Sequence, residues 1–156
     1  MKVLSIRQPW AALVAQGVKC MDIRTRDCHY RGPVAIYATR GNVRRKDKTY
    51  FKNILGINEI PEYINRGKLI AYAEIVGTIR FDTPEKFYAY SECHYCSSFY
   101  YQDGCYGWIF QNVKHLHHPI NYKMPKGCVN WSRVNDSVIM EDLNRYDWEP
   151  QMEVPA

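Results

Sequence analysis

The segment Leu4–Arg24 constrains the fold more than any other part of this chain, because its hydrophobic spacing changes from one period to another. Apolar residues follow Trp10 at the third and fourth positions, which is the spacing of one helical face. Pro9 has the fixed φ that suits a first helical position, and Gly17 stands where a left-handed residue ends a helix. We therefore predict a strand over Val3–Ile6, followed by a helix of about two turns.

After this helix the spacing changes to two residues. Cys20, Asp22 and Arg24 alternate with Met21 and Ile23. An extended segment would place the first three side chains on one face and the apolar pair on the other. We expect a strand whose polar face can line a cleft.

The same segment carries a motif that resembles a known family. The run Gly17-Val18-Lys19-Cys20-Met21-Asp22-Ile23-Arg24 follows a Pro-Trp helix start, and it is similar to the Gly-x-Lys-x-x-Glu-x-Arg pattern of the ASCH (activating-signal-cointegrator homology) family, with Asp22 in place of Glu. Further matches are Tyr30–Pro33 before the apolar strand Val34–Ala38, and more loosely Gly67–Val76 and Tyr106–Val113. The resemblance covers roughly residues 3–134.

The resemblance implies a PUA-like fold of the α+β class, mostly β: a small β-barrel of about six strands flanked by short helices. The residue patterns independently indicate many strands and few helices. The expected strands are Val3–Ile6, Cys20–Arg24, Val34–Thr39, Lys68–Phe81, Cys105–Val113 and Val129–Val134. Helices are expected from Asn42 to a cap at Gly56, at Pro61–Asn65, and from Thr83 to about Tyr90.

The net charge of +5 combines two oppositely charged parts. Residues 1–134, the predicted domain, carry twenty Lys and Arg against ten Asp and Glu, whereas the C-terminal extension 135–156 carries one against six. This extension could form a final helix or stay partly ordered. Nine basic residues lie between Arg24 and Lys52, which favours a phosphate-bearing partner, RNA or single-stranded nucleic acid; a solvated helix face is the alternative. The predicted nucleic-acid-binding residues are Arg24, Arg26, Tyr30, Arg31, Arg40, Arg44, Arg45 and Lys48.

A hydrolase is the second functional hypothesis. In ASCH proteins the residues that match Lys19, Asp22 and Glu74 lie in a groove between barrel and helices, and one subset resembles amidohydrolases that act on acylated cytidine through Lys, Thr and Glu. Asp22 stands where that Thr would be, so catalysis here, on such a nucleoside or on RNA, would need a carboxylate that activates water. The alternative role for the three residues is a structural salt-bridge network.

A protein-interaction module in transcription or RNA processing is the third hypothesis. Because no apolar run is long enough to span a bilayer and no signal-peptide pattern is present, we expect a cytoplasmic protein without membrane contact. We expect no cofactor and no metal. Cys93, Cys96 and Cys105 resemble half of a zinc site, but a single C-x-x-C is a weak signal and leaves zinc binding open.

Overall fold

Six strands and five helices make up the described part of the chain. The structure is a computed structural model, and it describes residues 1–54 and 65–146. The strands are β1 (Lys2–Ile6), β2 (Met21–Arg24), β3 (Gly32–Ala38), β4 (Lys68–Phe81), β5 (Cys105–Asn121) and β6 (Trp131–Arg133). The helices are α1 (Trp10–Ala15), α2 (Arg45–Ile54), α3 (Pro84–Ala89), α4 (Ser91–His94) and α5 (Asp136–Tyr146), with a 3-10 turn at Ser98–Tyr100.

The strands form one mixed sheet in the order β2-β5-β4-β3-β1-β6. Only β1 and β3 run parallel; the other pairs are antiparallel. The predicted α+β, mostly β class is confirmed, but the sheet is not closed, so "barrel" describes it only approximately. Side chains bridge the two edges instead of a backbone ladder. Arg24 of β2 donates to the Ser5 carbonyl of β1 at 2.5 Å, and the Trp108 ring stacks on Trp131 of β6 at 5.7 Å between centroids.

Local signals in the sequence explain most element boundaries. Gly17 takes the predicted left-handed conformation, with φ +74°, directly after α1. The Thr83 hydroxyl accepts a hydrogen bond from the backbone N–H of Lys86 at 3.2 Å, as expected of a residue that caps α3. The register shift next to Gly77 agrees with the bulge expected in β4.

Two boundaries differ from the prediction. Helix α2 begins at Arg45 and not at Asn42, because the Asn42 side-chain oxygen accepts from the Arg66 guanidinium and caps no helix. Strand β5 continues eight residues beyond Val113, since its polar second half stays paired with β4 although its side chains are mostly exposed. The expected cap at Gly56 and all but the last residue of the expected helical turn at 61–65 lie outside the described residues.

The sheet separates two apolar clusters. On one face α1 packs with Trp10 and Val14 against Ala73 and Ile75 of β4. On the other face α5 packs through Ile139 and Leu143, with Val3, Tyr37, Leu69 and Leu116 as further members. The Asp142 carboxylate fastens α5 to β5 by accepting the backbone N–H groups of two adjacent histidines, at 2.7 and 2.9 Å. The division of the chain into a domain and an extension stays a prediction.

Candidate functional site

Lys19 lies completely buried between α1 and β2. Its ammonium donates to the His94 carbonyl oxygen at 2.5 Å and lies 5.1 Å from the centre of the Trp10 ring. The Cys96 sulfur is 3.6 Å away and the Asp22 carboxylate 3.9 Å away. Because a buried ammonium is costly without partners, this set of contacts explains how the chain tolerates it.

Asp22 and Arg24 form an ion pair on the polar face of β2, as their alternation predicts. The Arg24 Nε donates to Asp22 Oδ2 at 2.7 Å, and a second guanidinium nitrogen reaches the Ser5 carbonyl. The Arg24 side chain also covers the Trp108 ring at 5.2 Å. Lys19, Asp22 and Arg24 therefore form one connected group of charges.

A cleft of about 540 Å³ opens above this group, where β2 faces the ends of β1 and β3; we call it the β2 cleft. Its lining includes Ser5, Arg7, Trp10, Asp22, Arg24, Thr39, Arg44, Tyr100 and Asn130. Three arginines and a single carboxylate belong to the lining, so the cleft attracts anions.

Two buried oxygen atoms at this end of the molecule have no hydrogen-bond partner among the described residues. One is the Ser5 hydroxyl, which shares the face of β1 with Val3, and the other is Oδ2 of Asp47 on α2. The second Asp47 oxygen accepts from the Tyr100 hydroxyl. Burial, and then this carboxylate, raise the pKa of Tyr100, so its hydroxyl stays a neutral donor.

Glu74 does not join the other three residues, contrary to the expectation of a shared groove. Its carboxylate accepts from the Tyr72 hydroxyl at 2.9 Å and from the Asn112 amide at 2.8 Å, and these hydrogen bonds hold the pKa of Glu74 below its usual range. The neighbours Ala73 and Ile75 pack in the cluster of α1, so alternation sends Glu74 to the opposite face. There it lines a separate pocket beside α5.

The predicted nucleic-acid-binding residues lie in several places. Arg24 and Arg44 line the β2 cleft, and Arg40 lines a neighbouring pocket. Tyr30 is half-buried: its hydroxyl donates to the Pro33 carbonyl and its ring packs against Trp131, so it is not free to stack on a base. The remaining four, all exposed, are Arg26, Arg31, Arg45 and Lys48; Arg31 also donates to the carbonyls of Cys28 and Tyr30.

Sequence reasoning missed several cleft residues, among them Arg7, Thr39 and Tyr100. A signal existed for two of them, since Arg7 and Thr39 directly follow strands with the same apolar pattern. In the structure these strands are parallel and in register up to Ile6 and Ala38, so their carboxyl ends meet at the cleft. Tyr100 offered no such signal, because it belongs to an irregular segment between α4 and β5.

The cysteines form no disulfide, and no three His, Cys, Asp or Glu side chains within residues 1–54 and 65–146 gather closely enough to hold a metal ion. Cys96 lies beside Lys19, whereas Cys105 belongs to β5. Burial raises the pKa of the Cys96 thiol to about 11 and keeps it protonated at neutral pH. Across the same residues, no helix has both the length and the hydropathy needed to cross a bilayer.

Comparisons with known proteins agree with this fold and motif. The ASCH domain model matches residues 4–137. The crystal structure of ASCH from Zymomonas mobilis superposes with a TM-score of 0.59 at 14% identity, covering 93% of this chain and 94% of that chain. A serine-to-alanine variant of that protein gives 0.58 at 14% identity, with 92% and 94% covered, and a tyrosine-to-phenylalanine variant gives 0.57 at 14%, with 93% and 96% covered. No curated protein matches the chain.

This sheet with its flanking helices is a PUA-like fold. The chain belongs to the ASCH domain family, because the family model spans most of its length. At 14% identity the solved structures show a shared fold alone.

Proposed function

We propose that the β2 cleft binds single-stranded RNA and holds one nucleobase. The observation that carries the proposal is the cleft itself, a space of about 540 Å³ whose lining combines three arginines, one carboxylate and two aromatic rings. Its volume lies within the usual range for sites that bind small molecules. RNA recognition in general relies on unpaired bases that are stacked and hydrogen-bonded along their edges.

The polar floor supplies groups for a base edge. Arg24 presents guanidinium donors, and Asp22 presents acceptor oxygens. The floor therefore fits a base edge that carries both a donor and an acceptor.

The aromatic wall and the cationic rim supply the remaining contacts. Trp10 and Tyr100 lie edge to face, 5.7 Å apart, and both line the cleft. Because Trp10 is only 6% exposed, the half-buried Tyr100, which lines the cleft as Tyr30 does not, offers the ring on which a base can stack. Such stacking contributes ~1–3 kcal/mol. Arg7 and Arg44 are exposed at the same cleft, where they can contact backbone phosphates.

The geometry favours this function over the hydrolase hypothesis. The Lys19 ammonium is buried and donates to the His94 carbonyl, and Asp22 is paired with Arg24. Glu74, the third residue which that hypothesis needs, lies on the opposite face of the sheet. Because the Arg24 guanidinium occupies Oδ2 of Asp22, that oxygen is not free to accept a proton from water.

The proposal predicts salt-dependent binding of single-stranded RNA. With two phosphate contacts removed in the double variant Arg7→Ala/Arg44→Ala, the slope of log K against log salt becomes less steep by ~1.4, since each contact to a single strand contributes ~0.7. Fluorescence anisotropy with a labelled RNA of mixed sequence measures this slope.

The matched control removes two charges elsewhere, as Lys86→Ala/Lys114→Ala. Both residues are exposed, and neither lines the β2 cleft. The slope measured for the control should differ from that of the unmodified protein by less than half the change expected for the arginine variant. A slope near zero for the unmodified protein, or equal slopes for the two double variants, would contradict the proposal.

A further inference from the structure

A second basic pocket, of about 590 Å³, lies on the other side of the segment Thr39–Arg44 from the β2 cleft. Thr39 and Arg44 line the cleft, whereas Arg40 and Asn42 line this pocket. The rest of its lining comes from the start of β4 and the end of β5. We call it the Arg66 pocket, and its members are Arg40, Asn42, Asn65, Arg66, Gly67, Lys68 and Asn121.

The charges of the Arg66 pocket are not compensated within the described part of the chain. Arg40, Arg66 and Lys68 contribute three cations, and the pocket lining contains no carboxylate. None of the three forms an ion pair with a described residue, whereas Arg24 and Arg80 each pair with an aspartate. Three neighbouring cations repel one another unless an anion joins them.

One of the three cations is oriented by a neutral neighbour. The Arg66 guanidinium donates to the Asn42 side-chain oxygen. This hydrogen bond favours one orientation of the guanidinium before a ligand arrives, which lowers the entropy cost of binding.

Gly67 brings the Arg40 side chain close to the backbone. Its φ of +68° favours glycine, and its N–H donates to the Ala38 carbonyl at 2.7 Å. An added Cβ at Gly67 would lie 2.9 Å from Cγ of Arg40. The bare backbone at this position thus lets Arg40 lie across the turn, next to Arg66.

We propose that the Arg66 pocket binds a phosphate group of the same RNA strand whose base occupies the β2 cleft. This inference rests on the proposed function, and it adds a second subsite with a defined chemistry. A guanidinium group can donate two parallel hydrogen bonds to two oxygens of one phosphate, and the Lys68 ammonium adds a further positive charge. Because the two sites share the segment Thr39–Arg44, a strand that crosses this segment reaches both. The phosphate can be an internal diester or a terminal monoester.

The test uses the full chain and the double variant Arg66→Gln/Lys68→Gln, with Lys86→Gln/Lys114→Gln as the matched control. An eight-nucleotide RNA is compared in two forms, one with a 5′-hydroxyl and one with a 5′-phosphate. Loss of two phosphate contacts lowers the slope by ~1.4, which corresponds to about 25-fold weaker binding at 0.1 M salt. Circular dichroism and thermal unfolding verify that each variant is folded.

The two strands identify the source of the phosphate. Weakening of both forms by the pocket variant indicates an internal diester, and weakening of the 5′-phosphorylated form alone indicates a terminal monoester; both outcomes support the inference. If the pocket variant binds both strands as the control does, while Arg7→Ala/Arg44→Ala weakens them, the Arg66 pocket is not a subsite and the proposed function stands.

Inorganic phosphate provides a separate measurement. In NMR titrations, phosphate should shift the side-chain Nε–H signal of Arg66 in the unmodified protein. If no RNA binds but this shift occurs at millimolar phosphate or below, the proposed function fails and the phosphate site stands. Absence of the shift together with absence of RNA binding would overturn both.

Discussion

Lys19 is among the largest fully buried side chains in the described part of the chain, and it carries a charge. Its ammonium joins three elements, because it follows α1, bonds the last carbonyl of α4 and approaches Asp22 of β2. A buried ammonium stabilises a fold no more than an apolar side chain of similar volume would. Its contribution is therefore the geometry that it imposes on its partners. We therefore assign Lys19 the role of positioning the Asp22–Arg24 pair at the floor of the cleft.

Replacement of Lys19 should destabilise the fold. Lys19→Ala leaves the His94 carbonyl with only the weak Cys96 thiol donor at 3.4 Å and creates a cavity, so we expect a loss of about 2–4 kcal/mol in the free energy of unfolding. Urea denaturation measures this loss. The exposed Lys48→Ala on α2 is the control, and it should change stability by less than about 0.5 kcal/mol. Equal free energies of unfolding for the two variants would show that the buried contacts of Lys19 do not stabilise the fold.

His94 couples the same region to pH. Burial is the main reason that its pKa falls to about 4, and the nearby Lys19 charge adds to this effect. Its Nε2 lies 2.8 Å from the Phe87 carbonyl, and its Nδ1 accepts from the Cys96 N–H. Both contacts fit a neutral ring that carries its proton on Nε2.

The neutral ring predicts a pH-dependent stability. The folded pKa is below the ordinary value of about 6.5, so the unfolded chain binds more protons between pH 6.5 and pH 4. The contribution of His94 is complete above pH 6.5 and is lost as pH falls through this window. Thermal unfolding should show a midpoint that falls with pH, and falls less in His94→Gln. An NMR titration that places the His94 pKa near 6.5 would contradict this.

At the scale of elements, the Met21 side chain of β2 packs directly over Gly107 of β5. Gly107 stands opposite Ile23 of β2, and an added Cβ at Gly107 would lie 2.2 Å from the Met21 sulfur. The Phe81 ring would lie 3.1 Å from the same added Cβ. Since β2 carries Asp22 and Arg24, this close approach helps to define the floor of the cleft.

Gly107→Ala should therefore destabilise the protein by about 1–3 kcal/mol through overpacking. Gly77→Ala is the matched control, because Gly77 also belongs to the β4–β5 pair but its nearest neighbour to an added Cβ is 3.7 Å away. The midpoints of urea unfolding are measured for both variants and compared. If Gly107→Ala is as stable as Gly77→Ala, the packing argument is wrong.

The sequence predicts β2 better than it predicts the site. Alternation places Asp22 and Arg24 on one face, and their 2.7 Å ion pair agrees with this expectation. The family resemblance implies that Glu74 lies in the groove, and alternation could not correct this because it does not say which face of β4 meets α1. Three register shifts along β4 and β5, and the positive φ of Asn112, then bring an amide to Glu74 on the far side.

The contacts that close the cleft could not be predicted, because they join distant parts of the chain. Arg24 meets the Ser5 carbonyl only after β1 and β2 have become neighbours across the open edges of the sheet. Tyr100 reaches Asp47 from a segment without hydrophobic periodicity. Sequence patterns report local periodicity, whereas these contacts depend on tertiary folding.

At the scale of the whole molecule, the two faces of the sheet differ in what they offer a ligand. The β2 cleft and the Arg66 pocket lie on either side of one segment, and together they are lined by six cations and one carboxylate. The pocket of Glu74 on the other face holds one carboxylate, one lysine and apolar residues of α5. A polyanionic strand is therefore attracted to the first surface, and we expect it to bind there.

Photo-cross-linking tests this central claim most directly. A single-stranded RNA with 4-thiouridine at each position in turn is bound to the full chain, irradiated and mapped by mass spectrometry. The account predicts cross-links to Trp10, to Tyr100 and to the segment Thr39–Arg44, and their loss when unlabelled RNA competes. Cross-links confined to the opposite face, at Tyr72 or Met140, would contradict the assignment of the β2 cleft as the RNA site.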